Sequence, residues 1–329
     1  RKAIALGEGM EIDETDPMDD FYIHQNMLAT ILAQKGELQE AWELQSKIYR
    51  LASSGLGPTH RRTLRAQANL GITARGLGRL DESLELLEDV YAKNLQHYGS
   101  GDRSTLISAL SLIASRSISG QLAEAHELAL KSVADAEAAL GPQNPVTVRL
   151  MGNLSTTTLD IEGPAAAIPI KETMLERAAE LYGKDNFVYL GHLSHLGAML
   201  GRNNELERSE QVQIEAIAGM TALRGANSHQ VLVSRSNLAS TWVDMQQYDK
   251  ALAELDDLTE MFTALGGADD PNVMFCRSMY LKILVDTKSD EAASYAQTYY
   301  DDKVRDFGEQ DSRAVEVRSL LDQLTTQES

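Results

Sequence analysis

The chain has 329 residues, of which 43% are hydrophobic and 24% are charged, and its formal net charge is −19 at pH 7. This composition is typical of a folded soluble protein, and such an anion repels nucleic-acid phosphates and anionic membranes. We therefore expect neither nucleic acid nor membrane among its partners. The single cysteine, Cys276, excludes an intramolecular disulfide. No apolar run approaches the roughly 20 residues of a membrane-spanning helix, and we expect a cytoplasmic protein.

The first residues, "RKAIALGEGMEIDETD", contain neither an initiator Met nor a long apolar run, so they predict no signal peptide. A start at Arg1 indicates a fragment cut from a longer chain. Residues 1–15 are predicted to be the tail of a preceding helix or a cap.

Glycines then recur at a nearly constant interval. The reference glycines are separated by 42, 42, 42, 42, 42 and 41 residues, and they are Gly57, Gly99, Gly141, Gly183, Gly225, Gly267 and Gly308. Each interval reads as helix A, a short turn, a longer helix B and a polar loop. This predicts seven helical repeats with the boundaries 16–57, 58–99, 100–141, 142–183, 184–225, 226–267 and 268–308.

A large and a small residue keep fixed places within each interval. Leu stands 13 residues after five of the reference glycines, and Ala or Ser stands 26 residues after them. The Leu fills the interface of two antiparallel helices, and the small residue lets their backbones approach. The large residues are Leu70, Leu112, Leu154, Leu196 and Leu238, with Leu28 before and Tyr280 after them; the small ones are Ser83, Ala125, Ala167, Ser209 and Ala251, with Ala41 before and Ala292 after them.

The fourth repeat and the C-terminus depart from this pattern. Pro164 and Pro169 stand where helix B of the fourth repeat begins, and Pro169 lacks an amide donor. They predict that this helix starts late or kinks near Ile168. Residues 309–329 are predicted to form a C-terminal capping helix that covers the last repeat with Val315, Val317, Leu320, Leu321 and Leu324.

The segment "NLGITARGLGRLDES" resembles the tetratricopeptide repeat, with Leu70 and Gly71 at two signature places and Ser83 at a third, where the family prefers Ala. Ala74 departs from the Tyr that the family often has. The 42-residue period resembles the kinesin light chain subclass. The resemblance implies an all-α, right-handed superhelical solenoid of about seven repeats. It also implies a non-enzymatic scaffold that binds a protein or peptide along a concave groove.

In the resembled family, helix A lines the concave face, and Asn in kinesin light chain repeats contacts a peptide backbone. An amide suits this task because it both donates and accepts. The corresponding places, twelve residues after a reference glycine, hold Asn69, Ser111, Asn153, His195 and Asn237. Ser111 and His195 depart from the pattern.

Nearby groove places, one and two helical turns earlier, are predicted to hold Arg62, Arg65, Ser108, Arg149, His192 and Ser234. None of these inferred groove residues is acidic, whereas helix B carries acidic runs such as "RLDESLELLEDV". We expect a locally basic groove on an acidic body, suited to an acidic or neutral peptide. The alternative is that some of these arginines pair with helix B carboxylates.

Other chemistry-bearing residues have simpler interpretations. His192 and His195 stand three apart on one helical face, but a zinc site needs further ligands, so we expect no metal and no cofactor. Their ordinary pKa near neutrality would make binding sensitive to pH. Cys276 stands among apolar residues and is predicted to be buried. The alternative function is a ligand- or peptide-sensing regulatory domain of a larger signalling protein, such as a bacterial one, whose effector domain is absent from this sequence.

Overall fold

A computed structural model describes residues 17–267 and 270–327. Within these ranges the secondary structure consists of fifteen α-helices and no strand. They are α1 (Pro17–Gln34), α2 (Leu38–Leu56), α3 (Arg61–Gly76), α4 (Leu80–Tyr98), α5 (Arg103–Ile118), α6 (Leu122–Leu140), α7 (Pro145–Ile161), α8 (Pro164–Tyr182), α9 (Phe187–Arg202), α10 (Leu206–Arg224), α11 (His229–Asp244), α12 (Tyr248–Gly266), α13 (Pro271–Asp286), α14 (Ala292–Phe307) and α15 (Ser312–Gln327). The fold class is all-α, as the sequence predicted.

The helices form two compact units. Unit 1 ends at Gly163 and contains α1 to α7, and unit 2 begins at Pro164 and contains α8 to α15. The boundary falls between the two helices that the sequence assigns to the fourth repeat. In both units consecutive helices pack against each other in pairs, as expected for stacked helical repeats. The odd-numbered helices up to α13 are called A helices and the even-numbered ones B helices.

Capping residues explain why the helices begin and end at fixed intervals. In α5, the Asp102 carboxylate accepts a hydrogen bond of 2.8 Å from the Ser104 amide, and Asn144 and Asn186 cap α7 and α9 in the same way. These bonds satisfy amides that have no partner inside the helix. At the other end of B helices, Gly99 adopts a φ of 84°, which favours glycine.

The large and small residues of the repeat lie in the core. Leu70, Leu112 and Leu154 are at most 7% exposed, and Ser83 and Ala125 are fully buried. The same holds in unit 2 for Leu196, Leu238, Ala167, Ser209 and Ala251. The exceptions are Leu28, which is 45% exposed, and Tyr280, which is half-buried. Most of the residues that the repeat pattern assigned to the core are therefore buried.

Two expectations about the irregular segments need correction. The late start predicted for helix B of the fourth repeat is wrong, because α8 begins at Pro164 and continues through Pro169. Pro164 fits there because the first turn needs no amide donor. In the capping helix α15, Val317 and Leu321 are buried against α14, but Val315 is 49% exposed. The Leu320 side chain and residues 1–15 lie outside what the structure describes.

Candidate functional site

The A helices line the concave side of each unit. In unit 1, α3 packs against α5 and α5 against α7; in unit 2, α9 packs against α11 and α11 against α13. Among the described helices, no two B helices pack this closely. Because the A helices converge where the B helices diverge, they form the concave surface. The surface formed by α3, α5 and α7 is called the A face of unit 1, and that formed by α9, α11 and α13 the A face of unit 2.

Most predicted groove residues of unit 1 lie on this surface. Arg65 and Arg149 are exposed, and Arg62 and Ser111 are half-buried. The half-buried asparagines are Asn69 and Asn153.

The two asparagines also hold neighbouring A helices together. Asn153 Nδ2 donates to the Leu110 carbonyl over 3.2 Å, and Asn69 Nδ2 donates to Asn26 Oδ1 over 3.4 Å. These bonds connect α7 to α5 and α3 to α1, so each amide has part of its hydrogen-bonding capacity occupied. The asparagines therefore stabilise the A face as well as lining it.

Two predicted groove residues, Ser108 and Ser234, are buried instead. Each is 3% exposed. Ser108 Oγ donates to the Thr105 carbonyl over 2.7 Å, and Ser234 Oγ lies 2.7 Å from Ser194 Oγ. They stand nine residues after a reference glycine, whereas exposed Arg65 and Arg149 stand eight residues after one. One residue turns the side chain by about 100° around a helix, which is enough to move it from the face into the core.

The arginines of the A face divide into paired and unpaired groups. Arg61 makes two hydrogen bonds of 2.9 Å to Asp102 and lies 3.9 Å from the Tyr98 ring centroid. By contrast, Arg103 and Arg149 are exposed, and neither pairs with a carboxylate of the described residues. Sequence reasoning missed Arg103, although its 42-residue spacing from Arg61 places both at the same step of the repeat.

Charge is strongly segregated between the A and B helices from α3 to α7. Helices α3, α5 and α7 contain seven arginines and one aspartate. Helices α4 and α6 contain nine acidic residues and two lysines. Helices α3, α5 and α7 are therefore locally basic although the whole chain carries −19.

Three other arginines of the A helices pair with helix B carboxylates, as the alternative expects. Arg116 contacts Glu88 over 2.8 Å, Arg235 contacts Glu254 over 2.5 Å, and Arg277 contacts Asp302 over 2.7 Å. None of these three arginines is among the predicted groove residues. The pairing occurs where an A helix side chain reaches the B helices beside it.

The A face of unit 2 carries two neighbouring imidazoles. His195 is exposed, and His192 and Asn237 are half-buried. His192 Nδ1 lies 3.2 Å from the ammonium of Lys171, which projects from α8 and is only 1% exposed. Burial, then the charges of Lys171 and His195, lower the pKa of His192 to about 3. The expectation that this residue titrates near neutrality is therefore wrong.

Neither Cys276 nor the histidine pair forms a reactive centre in the described part of the chain. Cys276 is fully buried, and burial raises the pKa of its thiol to about 11. Among the described residues, no group of three or more His, Cys, Asp or Glu side chains is placed to hold a metal ion. In the same ranges, no helix combines the length and the apolar character that crossing a bilayer requires.

Comparison with known proteins agrees with this architecture. Residues 20–94 match the family model of the tetratricopeptide repeat. No curated protein sequence matches the chain significantly.

Similar solved structures belong to tetratricopeptide repeat proteins. A kinesin light chain-like protein with nearly identical repeats from Podosopora anserina is 23% identical, with 61% of this chain and 95% of that chain covered and a TM-score of 0.51. BtubC (BKLC) from P. vanneervenii is 14% identical, with 75% and 92% covered and a TM-score of 0.57. The apo quorum sensor NprR from B. thuringiensis is 11% identical, with 93% and 82% covered and a TM-score of 0.66.

These matches establish the tetratricopeptide repeat fold that the sequence predicted, with kinesin light chain-like repeats among the similar structures. At such identities the structural likeness defines the fold, and function has to be argued from the residues of this chain.

Proposed function

We propose that the chain is a protein-interaction scaffold that binds an acidic peptide segment along the A face of unit 1. The observation that carries this proposal is the presence of exposed, unpaired Arg103 and Arg149 on a concave surface of an otherwise acidic protein. An arginine fork can hold a carboxylate through two parallel hydrogen bonds. The proposed activity is binding, without a chemical reaction.

The polar groups between these arginines suit a peptide backbone. Asn153 uses its Nδ2 for the Leu110 carbonyl, which leaves its Oδ1 as an acceptor for a peptide amide. Ser111 is half-buried on the neighbouring A helix and offers a hydroxyl group. Together, arginines and small polar groups support recognition of acidic side chains along an extended backbone.

The fold likeness to a quorum sensor does not favour a sensing function over this one, because at 11% identity it reflects the shared repeat architecture. The surface charge of unit 1 is a property of this chain itself. It therefore has more weight in the choice of function.

The experiment is a fluorescence-anisotropy titration of the whole chain with two labelled dodecapeptides. One contains four Asp or Glu residues among Ser and Gly, and the other replaces each with Asn or Gln. We expect the acidic peptide to bind more tightly. The double variant Arg103→Ser with Arg149→Ser should weaken its binding about fivefold to tenfold, since each exposed ion pair contributes roughly 0.2–1 kcal/mol.

Arg50→Ser is the matched control. Arg50 is equally exposed but lies on the B helix α2, away from the A face. This variant should change the affinity less than twofold. Equal binding of the two peptides, or an equal loss in the control, would contradict the proposal.

A further inference from the structure

Lys171 occupies a place that the repeat otherwise fills with an uncharged core residue. Thirty residues after a reference glycine stand Leu87, Ala129 and Leu255, all at most 1% exposed, and Gln213, fully buried. Gln45 holds the same place in the first repeat and is 4% exposed. Lys171 is 1% exposed, so its ammonium group is buried as deeply as these uncharged side chains.

The surroundings of Lys171 do not neutralise its charge. The hydrogen bond of Nζ runs to His192 Nδ1 over 3.2 Å, and no carboxylate of the described residues pairs with it. A buried charge is among the most destabilising features of a protein unless something compensates it. Burial lowers the pKa of Lys171 to about 8, so most of the molecules still carry the charge at neutral pH.

This contact also determines the tautomer of the His192 ring. An ammonium group only donates, so Nδ1 must accept, and the neutral ring then carries its hydrogen on Nε2. His192 is half-buried on the A face of unit 2, and exposed His195 lies beside it with ring centroids 6.3 Å apart at 87°. The surface above the buried charge therefore offers an N–H donor and a second imidazole.

We propose that Lys171, His192 and His195 form a binding site for a single carboxylate group. His192 and His195 would donate hydrogen bonds to the carboxylate, and Lys171 would balance its charge from beneath the ring of His192. The site lies in unit 2 and shares no residue with the arginines of unit 1, so it goes beyond the proposed function and can fail independently of it.

The test uses the whole chain and three labelled hexapeptides of Gly and Ser. The first has a free C-terminal carboxylate, the second has an amidated end and one internal Glu, and the third has an amidated end and no charge. We expect the first or the second to bind at least tenfold more tightly than the third. The preferred peptide identifies a chain terminus or a side chain as the source of the carboxylate.

Lys171→Leu is the decisive variant, because Leu87 and Leu255 show that this place accepts leucine. It should fold with a raised melting temperature and yet bind the preferred peptide about tenfold more weakly. Gln213→Leu is the matched control, since it removes a buried polar side chain from the same place of the next repeat. That control should bind as the wild type does.

A spectroscopic measurement separates a binding role from a purely structural one. In protein labelled with [15N]histidine, the preferred peptide should shift the Nε2 resonance of His192 in the wild type, and at the same subsaturating peptide concentration the shift should be much smaller in Lys171→Leu. Equal binding of all three peptides, unchanged affinity in Lys171→Leu, or an equal loss in Gln213→Leu would overturn the proposal.

Discussion

Helix α4 of unit 1 and helix α8 of unit 2 occupy the same step of the repeat but bury different residues at the same place. In α4 this residue is Leu87, which is fully buried and fills the space in front of Gly71. In α8 it is Lys171, equally buried but charged, with His192 as its hydrogen-bonding partner. The same position of the repeat thus accommodates a stabilising side chain in unit 1 and a destabilising one in unit 2. The destabilising side chain lies beneath a polar surface.

The turns between A and B helices differ in a related way. In unit 1 the turn holds Gly78 with a φ of 75°, and the corresponding residues in unit 2 include Gln246 and Lys288 with φ values of 59° and 53°. Left-handed backbone is unstrained for glycine and unfavourable for other residues. The described part of unit 2 therefore contains locally destabilising residues where the corresponding places of unit 1 hold favourable ones. Of these residues, only Lys171 coincides with a candidate site.

The largest effect on stability is expected when lysine replaces the equivalent buried residue of unit 1. Leu87→Lys should lower the free energy of unfolding by roughly 3–5 kcal/mol, because it removes core packing and buries a charge. The equivalent of His192 in this part of unit 1 is Ser108, whose hydroxyl donates to Thr105 and offers no imidazole. Urea unfolding followed by circular dichroism measures the change. Leu87→Met, which preserves volume, should cost less than about 1.5 kcal/mol, and an equal loss in both variants would contradict the charge argument.

The reverse change should stabilise unit 2. At pH 7, Lys171→Leu should raise the free energy of unfolding by about 3 kcal/mol. This is the free energy that corresponds to the lowering of the Lys171 pKa in the folded wild type, from 10.5 to about 8. The destabilisation by the buried charge is fully present below about pH 8, where Lys171 is protonated in both the folded and the unfolded state. It disappears towards pH 10.5, because the folded state releases its proton first and the unfolded state then binds more protons.

The measurement is urea unfolding of wild type and Lys171→Leu at several pH values between 7 and about 10.5. The difference between the two proteins should shrink as the pH rises, which isolates Lys171 from other groups that titrate in this range. A difference that stays constant with pH would show that packing, not charge, separates the two. Exposed Lys131→Leu on α6 is the control and should not change stability measurably.

The smallest effect concerns the turns. Lys288→Gly should raise the free energy of unfolding by about 0.5–1 kcal/mol, because it relieves a left-handed conformation at an exposed position. Lys288→Ala is the matched control: it removes the same side chain but keeps the strain, and should give no gain. Thermal unfolding of the three proteins tests this comparison, and an equal gain in both variants would assign the effect to the side chain.

The fold was predictable because the relevant residues repeat. A reference glycine, a capping residue such as Asp102 or Asn144, and a core Leu recur every 42 residues, and each acts through local backbone chemistry or burial. The late start of α8 was predicted wrongly because Pro169, which lacks an amide donor, was expected to disrupt the start of the helix, although α8 begins at Pro164 and continues through Pro169.

The candidate site was less predictable because it depends on details finer than the repeat. Ser108 and Arg65 differ by one place in the register, and that rotation decides between core and surface. Which arginines remain unpaired depends on which side chains lie within reach in three dimensions, as Arg61 with Asp102 shows. Lys171 could have been noticed by aligning it with Leu87 and Leu255, but its contact with His192 required the packing of α8 against α9.

The position of a bound acidic peptide tests the central claim most directly. An acidic dodecapeptide with a photoreactive benzophenone side chain at its centre can be crosslinked to the whole chain and the products mapped by mass spectrometry. We expect crosslinks in unit 1 to concentrate on the A helices α3, α5 and α7 and to disappear in the Arg103→Ser, Arg149→Ser double variant. Crosslinks concentrated on the B helices α4 and α6, or unchanged in that variant, would contradict binding on the A face.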